Sequence, residues 1–137
     1  MKLLLRVIGA VVAIVVGLFL LQIVASESGE VVKVTTVDGS GEQHQTHLWV
    51  VDHDGHAWLR SGSPTSGWYA RLKETPTLDL ERNGERAEYS ITVDPTQVAT
   101  INNLMHEKYG WADTYIGYFI DHSKSVAIRL DPRPPEA

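Results

Sequence analysis

The chain has 137 residues, a formal charge of −5 and no cysteine, so disulfides, thiolate metal sites and a cysteine nucleophile are excluded. Both acidic and basic residues are spread thinly, and ten cations against seventeen acids follow the first 26 residues, which argues against nucleic acid as a partner. That remainder is long enough for one compact domain with a core and too short for two.

Val7 to Ala25 (VIGAVVAIVVGLFLLQIVA) is apolar but for Gln22, and as a helix it spans about 28 Å, the thickness of a bilayer's hydrocarbon. It is read as a single membrane anchor over residues 3–25. Lys2 and Arg6 precede it and Glu27 and Glu30 follow, so the positive-inside rule puts the N-terminus in the cytoplasm and the domain outside. A cleaved signal peptide is the competing reading, against which the length of the apolar run counts. A buried soluble helix would need protein on every side. The expected organisation is an anchor over residues 1–26, a polar linker over 27–30, a folded domain over 31–132 and a tail over 133–137.

Glu30 to Val37 reads as a strand rich in β-branched residues, closed by the turn residues Asp38-Gly39-Ser40-Gly41. The runs 47–52 and 56–61 flank Asp54-Gly55, a short-hairpin signal. Within that hairpin Leu48, Val50, Ala57, Leu59 and Ser61 share one face, suited to a barrel interior. Trp49, Val51, His53, His56, Trp58 and Arg60 share the other, whose two indoles need a cover and where Trp49 stands opposite Arg60. A short helix is expected over 66–73, ending before Thr75-Pro76.

A second hairpin is centred on Asn83-Gly84, between runs 77–82 and 85–93. A two-residue turn there pairs Arg82 with Glu85, Glu81 with Arg86, Leu80 with Ala87 and Leu78 with Tyr89, leaving Asp79 opposite Glu88 on a wet face. Asp94-Pro95-Thr96-Gln97 is a helix start with Asp94 as N-cap and Gln97 at the capping-box position. The stripe Val98, Ile101, Leu104, Met105 follows and ends near Tyr109-Gly110. Residues 125–130 form a last strand before Pro132, Pro134 and Pro135. The fold class is mainly β (α+β): about six antiparallel strands with two or three helices, behind one transmembrane helix.

Candidate chemistry is sparse. His44-x-x-His47 and His53-x-x-His56 have imidazoles at suggestive spacing, but i and i+3 point to opposite faces of a strand, and the second pair meets only across a turn. No metal is expected. Ser61, Ser63 and Ser66 lack a nucleophile-elbow pattern. Arg60-Ser61-Gly62 with Trp68-Tyr69-x-Arg71-Leu72 gathers a cation, hydroxyls and rings suited to a flat anionic ligand, while Trp68 and Leu72 serve equally as core anchors of the short helix.

Taken in order, Thr35-Thr36 with Ser40-Gly41, then Leu48, the Asp54-Gly55 hairpin, Trp68-Tyr69-x-Arg71-Leu72 with Pro76, Tyr109-Gly110-x-Ala112-Asp113 and Leu130-Asp131-Pro132 resemble the deazaflavin-dependent nitroreductase family over nearly all of residues 31–132. The resemblance implies a split β-barrel, related to the flavin-binding pyridoxamine-phosphate-oxidase-like proteins. It also implies a reduced deazaflavin (8-hydroxy-5-deazaflavin type) or FMN as cofactor, a small-molecule redox acceptor such as a quinone or nitro compound, and a possible homodimer. Carried over by position, Thr36, Ser40, Gly41, His44, His47, Leu48, Ser61, Gly62, Trp68 and Tyr69 line the cofactor groove, and Tyr115 or Tyr118 lies near the substrate. The family's basic residues that grip the cofactor phosphate are here Asp38, Gly39 and His44, which should weaken that grip. A non-catalytic split-barrel binding module is the alternative.

Overall fold

The computed structural model describes residues 1–26 and 29–133. Residues 27–28 of the expected linker and 134–137 of the expected tail lie outside the described residues. Six strands, β1 (Val31–Val37), β2 (Gln43–His53), β3 (His56–Ser61), β4 (Thr77–Arg82), β5 (Glu85–Val93) and β6 (Val126–Pro132), close into an antiparallel barrel in the order β1-β2-β3-β6-β5-β4.

The hairpin registers follow the turn chemistry. Asp54 and Gly55, and Asn83 and Gly84, all have positive φ (53°, 76°, 54° and 78°), the backbone that a right-twisted two-residue hairpin demands. His53 therefore faces His56, and Arg82 faces Glu85 with the pairs behind it in the expected sequence down to Leu78 and Tyr89. Closure places one face of every strand inside: Val32, Val34, Val50, Leu59, Leu78, Leu80, Ile128 and Leu130 are all buried there. One barrel end is stopped by helix α2 (Gly67–Glu74), whose Trp68, Tyr69 and Leu72 enter the same core.

The outer Trp49/Trp58 face is covered by helix α3 (Val98–Tyr109). Ile101, Met105 and Tyr109 pack there against Val51, Trp58 and Ala127, forming a second core outside the barrel. Asp94 caps the preceding turn of 3₁₀ helix, accepting the Thr96 N–H at 3.0 Å. The reciprocal half expected of Gln97 is replaced, because the Asp94 N–H is donated to Ala127 O of β6. At Gly110 φ is +55°, ending α3 and turning the chain into a short helix, α4 (Trp111–Gly117).

The anchor region is helix α1 (Lys2–Ser26), with its described side chains exposed along the whole length, and it is long and apolar enough to cross a bilayer. Glu30 accepts from Arg82 (Nε–Oε2 2.9 Å) and from Lys108 (Nζ–Oε1 2.6 Å), and the Tyr109 hydroxyl lies 2.6 Å from Glu30 O. Arg82 also holds Asp52 through two contacts of 2.8 Å. The hydrogen bonds from Arg82 and Lys108 hold the Glu30 carboxyl below the usual carboxylate range. The last residue of the expected linker thus ties the start of β1 to β4 and α3.

Candidate functional site

The site is assembled where α3 and α4 meet the outer face of the β2/β3 hairpin. The alternation that sends Leu59 inward sends Arg60 outward, under the two helices. There its guanidinium donates to Asp113 Oδ1 at 2.7 Å and to Asn102 Oδ1 at 3.3 Å. Both partners of the ion pair are enclosed, with side-chain exposures of 8% for Arg60 and 4% for Asp113. Two imidazoles complete the cluster: His106 Nδ1 is 3.5 Å from Asp113 Oδ2, and His122 Nε2 is 3.8 Å from Oδ1. Asn102 fixes the His122 backbone by donating to its carbonyl at 2.8 Å. Burial, aided by the Arg60 cation, pushes the His122 imidazole down, which favours its neutral form. Its Nε2 is a buried polar atom without a hydrogen-bond partner.

A cleft of about 190 Å³ opens onto this cluster, between β2, the end of β3, α3 and the segment after α4. Leu48, Trp49, Met105, Ile116 and Ile120 make its lining largely apolar, and Arg60, His122, His47 and Gly62 complete it. A side chain at position 62 would meet Ile120 at 3.3 Å, so glycine keeps the opening clear. Trp49 is held flat by stacking on Tyr109, with ring centroids 4.2 Å apart and planes within 6°. Apolar walls with a few convergent polar groups are the usual make-up of a small-molecule site. A second groove of about 430 Å³ runs on from Gly62 along Ser63, Pro64, Phe119, Ile120 and Lys124.

The residues expected to line a cofactor groove divide into three places. His47, Leu48 and Gly62 line the cleft. Thr36, Ser61, Trp68 and Tyr69 are buried at the barrel end stopped by α2: Thr36 Oγ1 accepts from Arg71 Nε at 2.7 Å, and Ser61 Oγ bonds the Ser63 carbonyl and Ser66 Oγ. Ser40 and Gly41 belong to the β1–β2 loop, and His44 stands at the start of β2, paired with Thr36 of β1. Tyr115 and Tyr118, expected near substrate, lie on α4 and just after it, where Tyr118 is 79% exposed. The sequence reading missed Asp113, Asn102 and His122. The one available signal was Asp113 within the Tyr109-Gly110-x-Ala112-Asp113 segment, an acid on what becomes the buried side of a helix.

The β1–β2 loop is satisfied by its own side chains. Asp38 Oδ1 accepts from Ser40 N (2.9 Å), Ser40 Oγ (2.6 Å) and Glu42 N (3.1 Å), and Oδ2 lies 2.8 Å from His44 Nε2. These bonds, those from Ser40 and His44 foremost, hold the Asp38 carboxyl far below the usual range, so it is anionic at any ordinary pH. Among the described residues, Asp38, Glu42 and His44 bring their ligand atoms within 4.8 Å of one another, a cluster already tied together by these hydrogen bonds. His53 and His56 face each other across their turn, His53 tilted against Trp58 and His56 Nε2 3.5 Å from Asp131 Oδ1. A flavin-type group needs a slot for its ring and a grip for its phosphate. The cleft offers apolar walls and a few polar groups, the make-up a conjugated ring calls for. The Asp38 loop does not fit the phosphate, because a fixed carboxylate stands where the resemblance puts cations.

No family model matches the sequence, and no curated protein matches it. Solved structures do match. A conserved hypothetical protein of Mycobacterium tuberculosis aligns with a TM-score of 0.60 at 17% identity, covering 78% of this chain and 75% of that one. A Listeria innocua protein described as a candidate pyridoxamine 5′-phosphate oxidase aligns with a TM-score of 0.57 at 11% identity over 82% and 90%. The fold is a split β-barrel. An F420 reductase shares it, with a TM-score of 0.52 at 14% identity over 80% and 91%. The barrel of this chain is therefore a fold that these solved structures share.

Proposed function

We propose that the chain is a membrane-anchored split-barrel protein of the redox type, which binds a flat, conjugated, largely apolar molecule in the Arg60/His122 cleft. The ligand class includes the ring of a deazaflavin or FMN, and the lipophilic quinone or nitro compound such a ring would reduce. The observation that carries this is the cleft itself: apolar walls with the Arg60 guanidinium and the His122 imidazole among them, polar groups suited to ring carbonyl or nitro oxygens. The anchor supports a lipophilic partner, and Lys2 and Arg6 ahead of it favour a domain outside the cytoplasm.

The full chain in detergent, titrated with FMN, reduced deazaflavin and a short-chain naphthoquinone while tryptophan emission is followed, should saturate with at least one at a Kd below about 100 μM. Linear, non-saturating responses to all three would overturn the proposal. The acidic Asp38 loop favours a second reading, a non-catalytic module that keeps the slot and has given up the phosphate-bearing cofactor. In that case the quinone saturates while FMN and deazaflavin do not.

A further inference from the structure

Charge at the cleft is present but cancelled. Arg60 is the permanent cation in its lining, and the guanidinium is engaged by Asp113 Oδ1 at 2.7 Å, with both side chains enclosed. The exposed His106 reaches only the other oxygen, Oδ2, at 3.5 Å. Burial disfavours a second cation on His122. Beside it, the Ser123 hydroxyl and N–H hold the Asp121 carboxyl below the usual range, and Lys124 offsets that charge in turn. The formal charges around the cleft thus fall into two opposed pairs, Arg60 with Asp113 and Lys124 with Asp121.

An unpaired guanidinium in an apolar cleft would draw an anion strongly, because little water is there to screen it. A pair 2.7 Å apart leaves only a dipole, whose field dies away faster with distance. An anionic ligand would exchange water for the walls made by Leu48, Met105, Ile116 and Ile120, and would bring a second negative charge toward Asp113, with no net cation to offset its desolvation. A neutral ring with carbonyl oxygens meets no such barrier. Arg60 keeps N–H donors beyond those taken by Asp113 and Asn102, and His122 Nε2 has no hydrogen-bond partner. A neutral imidazole carries a donor on one ring nitrogen and an acceptor on the other, so it serves a carbonyl or a hydroxyl oxygen alike.

We infer that the cleft selects an uncharged, carbonyl-bearing ring over an anionic one, and that Asp113 sets this preference by cancelling the Arg60 cation. The inference deepens the proposed function and rests on it: within the ligand class given there, it picks the neutral quinone. Asp113 acts through Arg60 and is a positioning residue, so its signature is a change in the ratio of two affinities. A purely structural role would weaken both ligands together and leave that ratio alone.

The test uses the full chain in an uncharged detergent and two probes of nearly equal volume, a naphthoquinone carrying a sulfonate and the same ring carrying a neutral methylsulfonyl group. Tryptophan emission follows both titrations. In the parent the neutral probe should bind at least tenfold more tightly than the sulfonate. Asp113→Asn keeps an oxygen for Arg60 but frees its charge, and should move the ratio at least tenfold toward the sulfonate. Arg60→Met with Asp113→Leu removes both charges together and guards against an Asp113→Asn chain that fails to fold; its ratio should stay within threefold of the parent's. Equal binding of the two probes by the parent would overturn the selectivity and leave the cleft standing as a ligand site. An unchanged ratio in folded Asp113→Asn, or a sulfonate affinity that collapses relative to the neutral probe in the double variant, would overturn the role of Asp113, the latter because it would show Arg60 acting as a free cation. Saturation by neither probe in the parent would overturn the cleft reading along with the inference.

Discussion

Removing the Arg60 cation should expose how much of the domain rests on one buried pair. In Arg60→Met the side-chain volume is nearly kept, but Asp113, at 4% side-chain exposure, loses a 2.7 Å charge-assisted bond and Asn102 loses a donor. His106 at 3.5 Å and His122 at 3.8 Å are the imidazoles that remain beside the stranded carboxylate. Breaking a buried ion pair from one side costs about 3–5 kcal/mol, and the rim imidazole puts this one near the lower end. For a domain of this size about 3 kcal/mol corresponds to roughly 12 °C in Tm. Replacing both partners, Arg60→Met with Asp113→Leu, removes the stranded charge and should return the domain to within about 1 kcal/mol of the parent. Near-ultraviolet circular dichroism of the full chain in detergent reads both. A single variant melting within about 3 °C of the parent, or a double variant no better than the single, would refute the reasoning.

Three further outcomes follow from the same contacts. Gly29 has φ +74°, and a Cβ there would sit 3.0 Å from the Tyr109 ring, which stacking on Trp49 prevents from moving; Gly29→Ala should cost about 1–2 kcal/mol in a denaturant melt. Glu30 and Asp52 have carboxyls held down by Arg82, so the unfolded chain binds more protons than the folded one as pH falls. Their contribution is full above the ordinary carboxylate range and is lost as pH drops through the lowered folded-state values; Tm measured from pH 6 to 3 should fall, and less steeply in Arg82→Met. Replacing Asp38→Arg with Gly39→Lys substitutes two cations for the acidic loop, and charge-assisted bonds of about 1.5–3 kcal/mol each should raise FMN affinity at least tenfold in an equilibrium titration.

Local chemistry written in short stretches was legible, and chemistry that depends on distant stretches was not. Asp54-Gly55 and Asn83-Gly84 dictate positive φ, and from that alone the register of both hairpins and the inward face of Leu48, Val50, Ala57 and Leu59 can be drawn. The need for a cover over Trp49 and Trp58 was visible too, and α3 supplies it. The partner of Arg60 was hidden because Asp113 lies 53 positions away on a helix too short to show a period. Gln97 fitted the capping-box spacing, but β6 passes close enough to take the Asp94 N–H, and tertiary geometry prevailed. Glu30 read as linker because nothing nearby in sequence shows that Arg82 and Lys108 will converge on it. Trp68 and Leu72 were open to a reading as core anchors of the short helix, and both are buried in the barrel core with Tyr69.

The cleft is the centre of the account, and Gly62 is the position that isolates it. A branched side chain there would press on Ile120 and fill the opening while leaving the barrel strands, α3 and the Arg60–Asp113 pair in place. Titration of the parent and of Gly62→Val with the same naphthoquinone, FMN and reduced deazaflavin, followed by tryptophan emission with melting temperature as the control on folding, is the direct measurement. Saturable binding in the parent that weakens at least tenfold in the variant, at nearly unchanged Tm, is the predicted result. Equal binding by both proteins would place the ligand elsewhere and contradict the account.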